Sequence, residues 1–286
     1  MRIVLSRKGW DSGSGGRPNL IFDETGEMVM LPIPEYENDV TYDKLHLSRD
    51  ENIRNHLKRI VPAHCQKTNI PFTCHADPNL RNLFGRKEYQ GSLGQVSTSQ
   101  THLKNQKIKV GDVFIFFGLF NHVILKNGEL RIRSRYPGHV IFGYLQIGDI
   151  ISPKDYNKEG RAEIESKYPW ITDQPHWNAE KYKKYSNNCI YVAAEHCTFN
   201  KSLPGCGTFD YHEELNLSMR DIPQSTHWNL PLELRNLSIT YCPTGMVDDK
   251  YFQAPARGQE LVIEDSPAAS KWAEKLITKH ARKSEI

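Results

Sequence analysis

The sequence predicts an α+β fold in which a mainly antiparallel, barrel-like sheet is flanked by peripheral helices. Three observations carry this expectation. Residues 110–120, VGDVFIFFGLF, form an apolar and aromatic run entered through a Gly-Asp turn. Lys126, Asn127 and Gly128, standing before ELRIRSR, make a hairpin signal. HVIFGYLQIGDII then supplies a return strand over 140–151. Strands joined by such short turns favour antiparallel neighbours over a parallel sheet built from βαβ units.

The flanking elements follow in order. Residues 2–6 read as a short strand, and KGWDSGSGG after them is too rich in glycine to continue any regular element. MVMLPIP is strand-like. Residues 50–61 show helical periodicity, with Ser48 and Glu51 in the S-x-x-E arrangement of a capping box. Ile53, Leu57, Ile60 and Val61 share one face, and Pro62 is expected to end the helix. Over 159–185 two short helices are expected, interrupted by Pro169 and Pro175, and NCIYVAAEH reads as a further strand. A C-terminal helix at about 266–283 is capped by Ser266, takes Pro267 in its first turn, and aligns Ala269, Trp272, Ala273, Leu276 and Ile277. The whole of 1–286 is expected to form a single domain.

Composition bounds the function. Apolar residues at 38% and charged residues at 25% support a packed core. A formal charge of +3 argues against binding DNA through phosphate neutralisation along basic tails. No run approaches the roughly 20 apolar residues of a membrane span, and the N-terminus turns polar too early for a signal peptide, so a cytoplasmic protein is expected. The six cysteines include no C-x-x-C pair and are expected to be free thiols. Cys189, His196, Cys197 and Cys206 fit no structural-zinc spacing, so no metal ligand set is assigned, and no cofactor is named.

The chemistry-bearing loop is Arg7, Lys8, Gly9, Trp10, Asp11, Ser12, Gly13, Ser14, Gly15, Gly16. Glycines let successive N–H groups converge on an anion, and the two cations add charge, as a phosphate or nucleotide requires. It has neither Walker nor Rossmann spacing. A surface loop whose glycines only make turns is the competing reading.

The string IVLSRKGWDSGSGGRPN, followed by LPIP at 31–34, resembles the N-terminal signature of the third nucleotide-modification-associated domain family. H-A-D-P at 75–78, G-S-L-G-Q at 91–95, GDVFIFFG at 111–118 and A-R-G-Q-E at 256–260 extend the match along nearly the whole chain. The resemblance implies a role in modifying nucleotides or DNA bases and names no reaction. The central strands also resemble, more coarsely, PUA-like barrels such as the ASCH and EVE domains.

Within these motifs, His75 and Asp77 sit in an extended Pro-containing segment, where two-residue spacing turns both to one side. That suits a general base with its carboxylate, or two metal ligands. A surface histidine and an Asp77 that caps a short helix is the alternative. Gln95, Ser99 and His102 are expected on one helix face, able to read a base edge or move a proton, or else simply solvated. Phe114, Phe116, Phe117 and Phe120 offer a stacking wall or, alternatively, core. Arg257 and Glu260 make either a phosphate clamp or a structural pair. His139 opens a strand at a possible barrel mouth.

The expected function is therefore a nucleotide- or nucleobase-modifying transferase or glycosidic-bond enzyme. Catalysis falls to His75, Asp77, His102 and Asp11. Binding falls to Arg7, Lys8, Ser12, Gly13, Gly15, Gly16, Gln95, Arg257 and Glu260. The partner is a nucleotide, or DNA presenting a single-stranded or flipped-out base, with other modification enzymes as further partners and no membrane. A non-catalytic PUA-like reader of modified bases, or an accessory protein of a modification system, is the alternative.

Overall fold

A computed structural model describes residues 1–36, 38–256, 258 and 260–282. In chain order the strands are β1 (Ile3–Arg7), β2 (Asn19–Phe22), β3 (Glu27–Val29), β4 (Ser92–Gln95), β5 (Val113–Lys126), β6 (Glu129–Ile132), β7 (Gly138–Ile151), β8 (Cys189–Ala193), β9 (Cys206–Thr208), β10 (His227–Trp228), β11 (Met246–Val247), β12 (Tyr251–Gln253) and β13 (Glu260–Val262). The α-helices are α1 (Glu51–Thr68), α2 (Ser97–Asn105), α3 (Lys158–Lys167), α4 (Pro175–Asn178), α5 (Glu180–Lys183) and α6 (Pro267–His280). Two compact units emerge. One comprises Met1–Leu31, Val113–Tyr144 and Thr208–Ile286, and the other Pro32–Asp112 and Leu145–Gly207.

In the first unit, β1 lies between β13, antiparallel to it, and β5, parallel to it. Further along β5, β2 also pairs in parallel, while β2 and β3 form an antiparallel pair. The sheet is therefore mixed, which corrects the expectation of a mainly antiparallel one. Short turns report only hairpins, whereas these parallel neighbours come from segments about a hundred residues away. The expected hairpin is present: β6 returns on β5 with Lys126 opposite Glu129. Asn127 and Gly128 take φ of 55° and 76°, the left-handed pair a tight two-residue turn requires.

Phe114, Phe116, Phe117 and Phe120 are buried in the core of this unit, Phe116 and Phe120 against Phe142. They form interior, not a stacking wall. Along α6, Ser266 Oγ accepts from the Ala268 N–H (3.2 Å), and Ala269, Trp272, Ala273, Leu276 and Ile277 are all buried. The amphipathic stripe thus packs as the sequence indicates.

In the second unit α1 runs on to Thr68 with Pro62 inside it, so Pro62 does not end the helix. Proline removes one N–H donor, but Val61 and Cys65 are buried on either side of it, and their packing outweighs the lost bond. The N-cap is Asp50, which accepts from Ile53 N–H at 3.0 Å. Ser48 instead accepts from Asp50 N–H at 3.1 Å, so no Ser48 capping box forms. Pro169 opens a 3-10 turn and Pro175 opens α4, so the stretch expected to hold two helices holds α3, that turn, α4 and α5. Trp170, Ile171 and Trp177 pack on Ile190 and Val192 of β8. β8 is antiparallel to both β4 and the second half of β7.

Gln95 lies in β4, opposite Cys189, and not on a helix; Ser99 and His102 are carried by α2. The expected shared face of these three residues is therefore absent. Among the described residues no helix is long and apolar enough to cross a membrane. All six cysteines are free thiols.

Candidate functional site

The second unit gathers a buried polar cluster from four separate stretches of chain. The LPIP motif and the residue after it pair with the segment that leads into H-A-D-P. His75 N–H donates to the Ile33 carbonyl (2.9 Å), and Glu35 N–H donates to the Thr73 carbonyl (2.9 Å). Asn79 and Ser92 then exchange backbone hydrogen bonds of 3.0 Å each, which seats H-A-D-P beside β4. Two motifs distant in sequence are thus edges of one small backbone network.

Asp77 is 7% exposed, and its Oδ1 accepts from Gly94 N–H and from Gln174 Nε2, both at 2.8 Å. It caps no helix. Gln174 also donates to Ser92 Oγ (3.0 Å), so the residue before α4 is tied to both H-A-D-P and β4. With Oδ1 engaged, Asp77 turns Oδ2 toward His75 Nε2, at 3.8 Å.

At its other nitrogen, His75 Nδ1 lies 3.3 Å from Glu35 Oε2 and 3.2 Å from the Tyr182 hydroxyl. That hydroxyl donates to Glu35 Oε1 (2.7 Å), so its oxygen is left to accept. The Nδ1 proton of His75 therefore has two acceptors, and Nε2 is the nitrogen presented to Asp77. Burial works against ionising Glu35, but hydrogen bonds from His75, Lys181 and Asn38 prevail and hold it well below the usual carboxylate range. Burial, followed by the charge of Glu35, pushes the Tyr182 hydroxyl far up.

The third member is His176 on α4, which sequence reasoning did not single out. Its ring lies edge-on to His75, with 5.2 Å between centroids, and stacks on Tyr182 at 4.1 Å. Nδ1 is 2.8 Å from Asn188 Oδ1, while Asn188 Nδ2 donates to the His176 carbonyl (2.7 Å). The second bond fixes which end of the Asn188 amide faces the ring. Nδ1 therefore carries the proton, and Nε2 holds the lone pair.

Gly94 is required where it stands, because a Cβ there would come within 2.0 Å of His176 Cδ2. His75, Asp77 and His176, all buried, each present one ligand-type atom, and the three atoms lie within 4.8 Å of one another. Two imidazoles and a carboxylate so placed can pass protons or hold a divalent cation. The only sequence hint of His176 was a Gln-Pro-His string, which marks a helix start and gives no sign of its distant partners.

The glycine loop lies in the first unit and is held by its own residues. Asn19 Oδ1 accepts from Trp10 N–H (3.1 Å) and Leu31 N–H (2.8 Å), and its Nδ2 donates to the carbonyls of Trp10 (3.1 Å) and Leu119 (3.0 Å). Trp10 is fully buried, and Gly15, at φ 87°, leaves room for its indole, which a Cβ would meet at 2.3 Å. Asp11 Oδ1 accepts from Gly13 N–H (2.7 Å) and Ser14 N–H (2.8 Å), filling the concavity read as an anion cradle. Ser12 is exposed beside it, and Gly16 also takes a left-handed φ, 71°.

Both cations of the loop have acidic partners. Arg7 pairs with Asp11 (2.8 Å), and Lys8 pairs with Glu260 (2.8 Å), which also accepts from Ser6 Oγ (3.1 Å). Glu260 of A-R-G-Q-E therefore meets S-R-K-G across the β1–β13 pairing. Arg257 lies outside the described residues. His139 is buried, its Nδ1 accepting from Trp228 Nε1–H (3.0 Å), and burial followed by the charge of Arg7 brings its pKa down to about 3. This unit also holds a cavity of about 540 Å³ lined by Arg133, Arg135, Arg220, Tyr136 and Tyr211, which no motif announced.

The family model described as nucleotide modification associated domain 3 matches residues 2–264. The chain belongs to that family. This family membership links the protein to nucleotide modification and leaves substrate and reaction open. No curated protein and no solved structure matches the chain.

Proposed function

We propose that this member of the nucleotide modification associated domain 3 family is an enzyme whose reaction centre is the cluster around His75, Asp77 and His176. The reaction modifies a nucleotide or a DNA base by acid/base chemistry in which His75 and Asp77 take part. The carrying observation is the double clamp on His75: Glu35 and Tyr182 at Nδ1, and Asp77 Oδ2 3.8 Å from Nε2. Burying an imidazole among two carboxylates and a second imidazole opposes folding unless every partner is placed. Such an arrangement is typical of functional centres.

The glycine loop is read separately as an anion site of the first unit. Its cradle binds phosphate when the anion displaces the Asp11 carboxylate from the Gly13 and Ser14 N–H groups, with Arg7 as the cation it leaves behind. The test of the enzymatic reading is mass spectrometry of nucleosides from cells and their phage, with the wild-type gene, without it, and with His75→Ala. A nucleoside that depends on the wild-type gene and disappears with His75→Ala supports the proposal. One that persists with His75→Ala would leave a binding or accessory role.

A further inference from the structure

We infer that His75, Asp77 and His176 hold a divalent transition-metal ion of the zinc or iron type, bound through His75 Nε2, Asp77 Oδ2 and His176 Nε2. The inference rests on reading this cluster as the reaction centre and specifies how His75 and Asp77 serve it: they hold the ion, and the proton-transfer group becomes water bound to it.

Four observations carry it. The donor set is two imidazole nitrogens and one carboxylate, all buried and within 4.8 Å of each other. Such sets suit zinc or iron(II) and leave coordination positions open for water or substrate, unlike closed four-ligand structural sites. Each donor is also oriented from behind by a named group. His75 Nδ1 faces Glu35, His176 Nδ1–H donates to Asn188 Oδ1, and Asp77 Oδ1 accepts from Gly94 and Gln174. This is the usual support around metal-bound histidines and carboxylates, where the remote atom's partner fixes the tautomer and aims the ligating atom.

Third, the two orientations converge. His75 Nε2 and Asp77 Oδ2 face one another at 3.8 Å, too far for a hydrogen bond. Donors about 2.1 Å from one ion stand about 3.0–3.6 Å apart, so a cation fits once the widest pair, no more than 4.8 Å apart, closes by about 1–2 Å. Fourth, Gly94 removes the Cβ that would displace the His176 ring. Among the described residues a second such group, His212, Glu214 and His280, is largely exposed, and Lys279 already occupies its carboxylate. It serves as the internal control.

The experiment uses the untagged full-length protein, stripped with chelator and titrated with Zn²⁺ by calorimetry and with Co²⁺ by absorption spectroscopy. The wild type and His280→Ala should each take up one equivalent. Asp77→Asn and His176→Gln should lose it, and Asn188→Ala should bind about 10–100-fold more weakly. Bound Co²⁺ should show visible bands without the intense near-ultraviolet thiolate transition. Circular dichroism checks the fold of each variant; should His176→Gln not fold, wild-type stoichiometry and Asn188→Ala decide the matter.

No uptake by the wild type, a thiolate band, or an equivalent lost with His280→Ala but kept with His176→Gln would overturn the inference. If no metal binds while His75→Ala still abolishes the modified nucleoside, the metal falls and the reaction centre stands. If metal binds and no nucleoside depends on the gene, the metal site stands and the enzymatic reading falls.

Discussion

Asn188 Oδ1 accepts the Nδ1 proton of His176 at 2.8 Å, and this one contact sets the chemistry the ring offers to its neighbours. The same amide donates back to the His176 carbonyl, so side chain and backbone of α4 are fixed together. Asn188→Asp should preserve the acceptor but lose the donor to the carbonyl. Asn188→Leu removes both and should lower the yield of modified product by about 10–100-fold. Equal yields from wild type and Asn188→Leu, at equal protein levels, would show that the tautomer of His176 is irrelevant.

Gly94→Ala tests the closeness of β4 to the cluster. A methyl placed 2.0 Å from His176 Cδ2 must push the ring or the strand. A loss of about 1–3 kcal/mol in chemical denaturation is expected, the usual range for overpacking. Activity should fall by more than that stability loss explains, because His176 moves. Unchanged stability would mean that the ring has room the geometry does not show.

Lys8 and Glu260 form a nearly buried pair, their side chains 10% and 1% exposed. Removing one partner strands the other, so Lys8→Met should cost about 3–5 kcal/mol. Lys8→Met combined with Glu260→Gln should recover part of that loss, since no buried charge is left alone. A double variant as unstable as the sum of the singles would contradict this coupling.

Asp11→Ala empties the N–H cradle and releases Arg7 from its carboxylate. Titration with inorganic phosphate, followed by calorimetry, should show binding that is tighter than in the wild type and lost on adding Arg7→Ala. If phosphate binds none of the three proteins, the loop is structural, and Trp10, Gly15 and Asn19 account for it.

His139 gives the pH prediction. Its folded pKa, about 3, lies below the ordinary histidine value near 6.5. Unfolded chains therefore bind a proton that folded chains refuse between these limits. The contribution to stability is intact above about pH 6.5 and declines by up to about 1.4 kcal/mol per unit as pH falls toward 3. His139→Asn keeps an acceptor for Trp228 and should flatten the curve over that window. A wild-type curve no steeper than that of His139→Asn would contradict the assignment.

Local signals made some of these features legible. The α6 stripe and the Asn127-Gly128 turn depend on neighbours a few residues away, and both appear as read. His75 and Asp77 stood out because extended backbone at two-residue spacing turns them together. Parallel pairing of β1 and β2 with β5 has no local signature. Pro62 reads as a stop unless the burial of Cys65 beyond it is known. Gln95 reads as helical because polar residues at helical spacing follow it, yet its strand partner, Cys189, is distant. His176 and Glu35 were invisible for the same reason. Their meaning lies in contacts across the fold, such as the Gln174–Asp77 bond, which spans 97 residues.

The most direct test of the cluster as one reaction centre is a double-mutant cycle on product yield. Initial rates of formation of the gene-dependent nucleoside are measured for wild type, His75→Ala, His176→Ala and both changes together. Residues acting as a unit give a double variant about as slow as the slower single one. Independent contributions, in which the two losses multiply, would contradict the account.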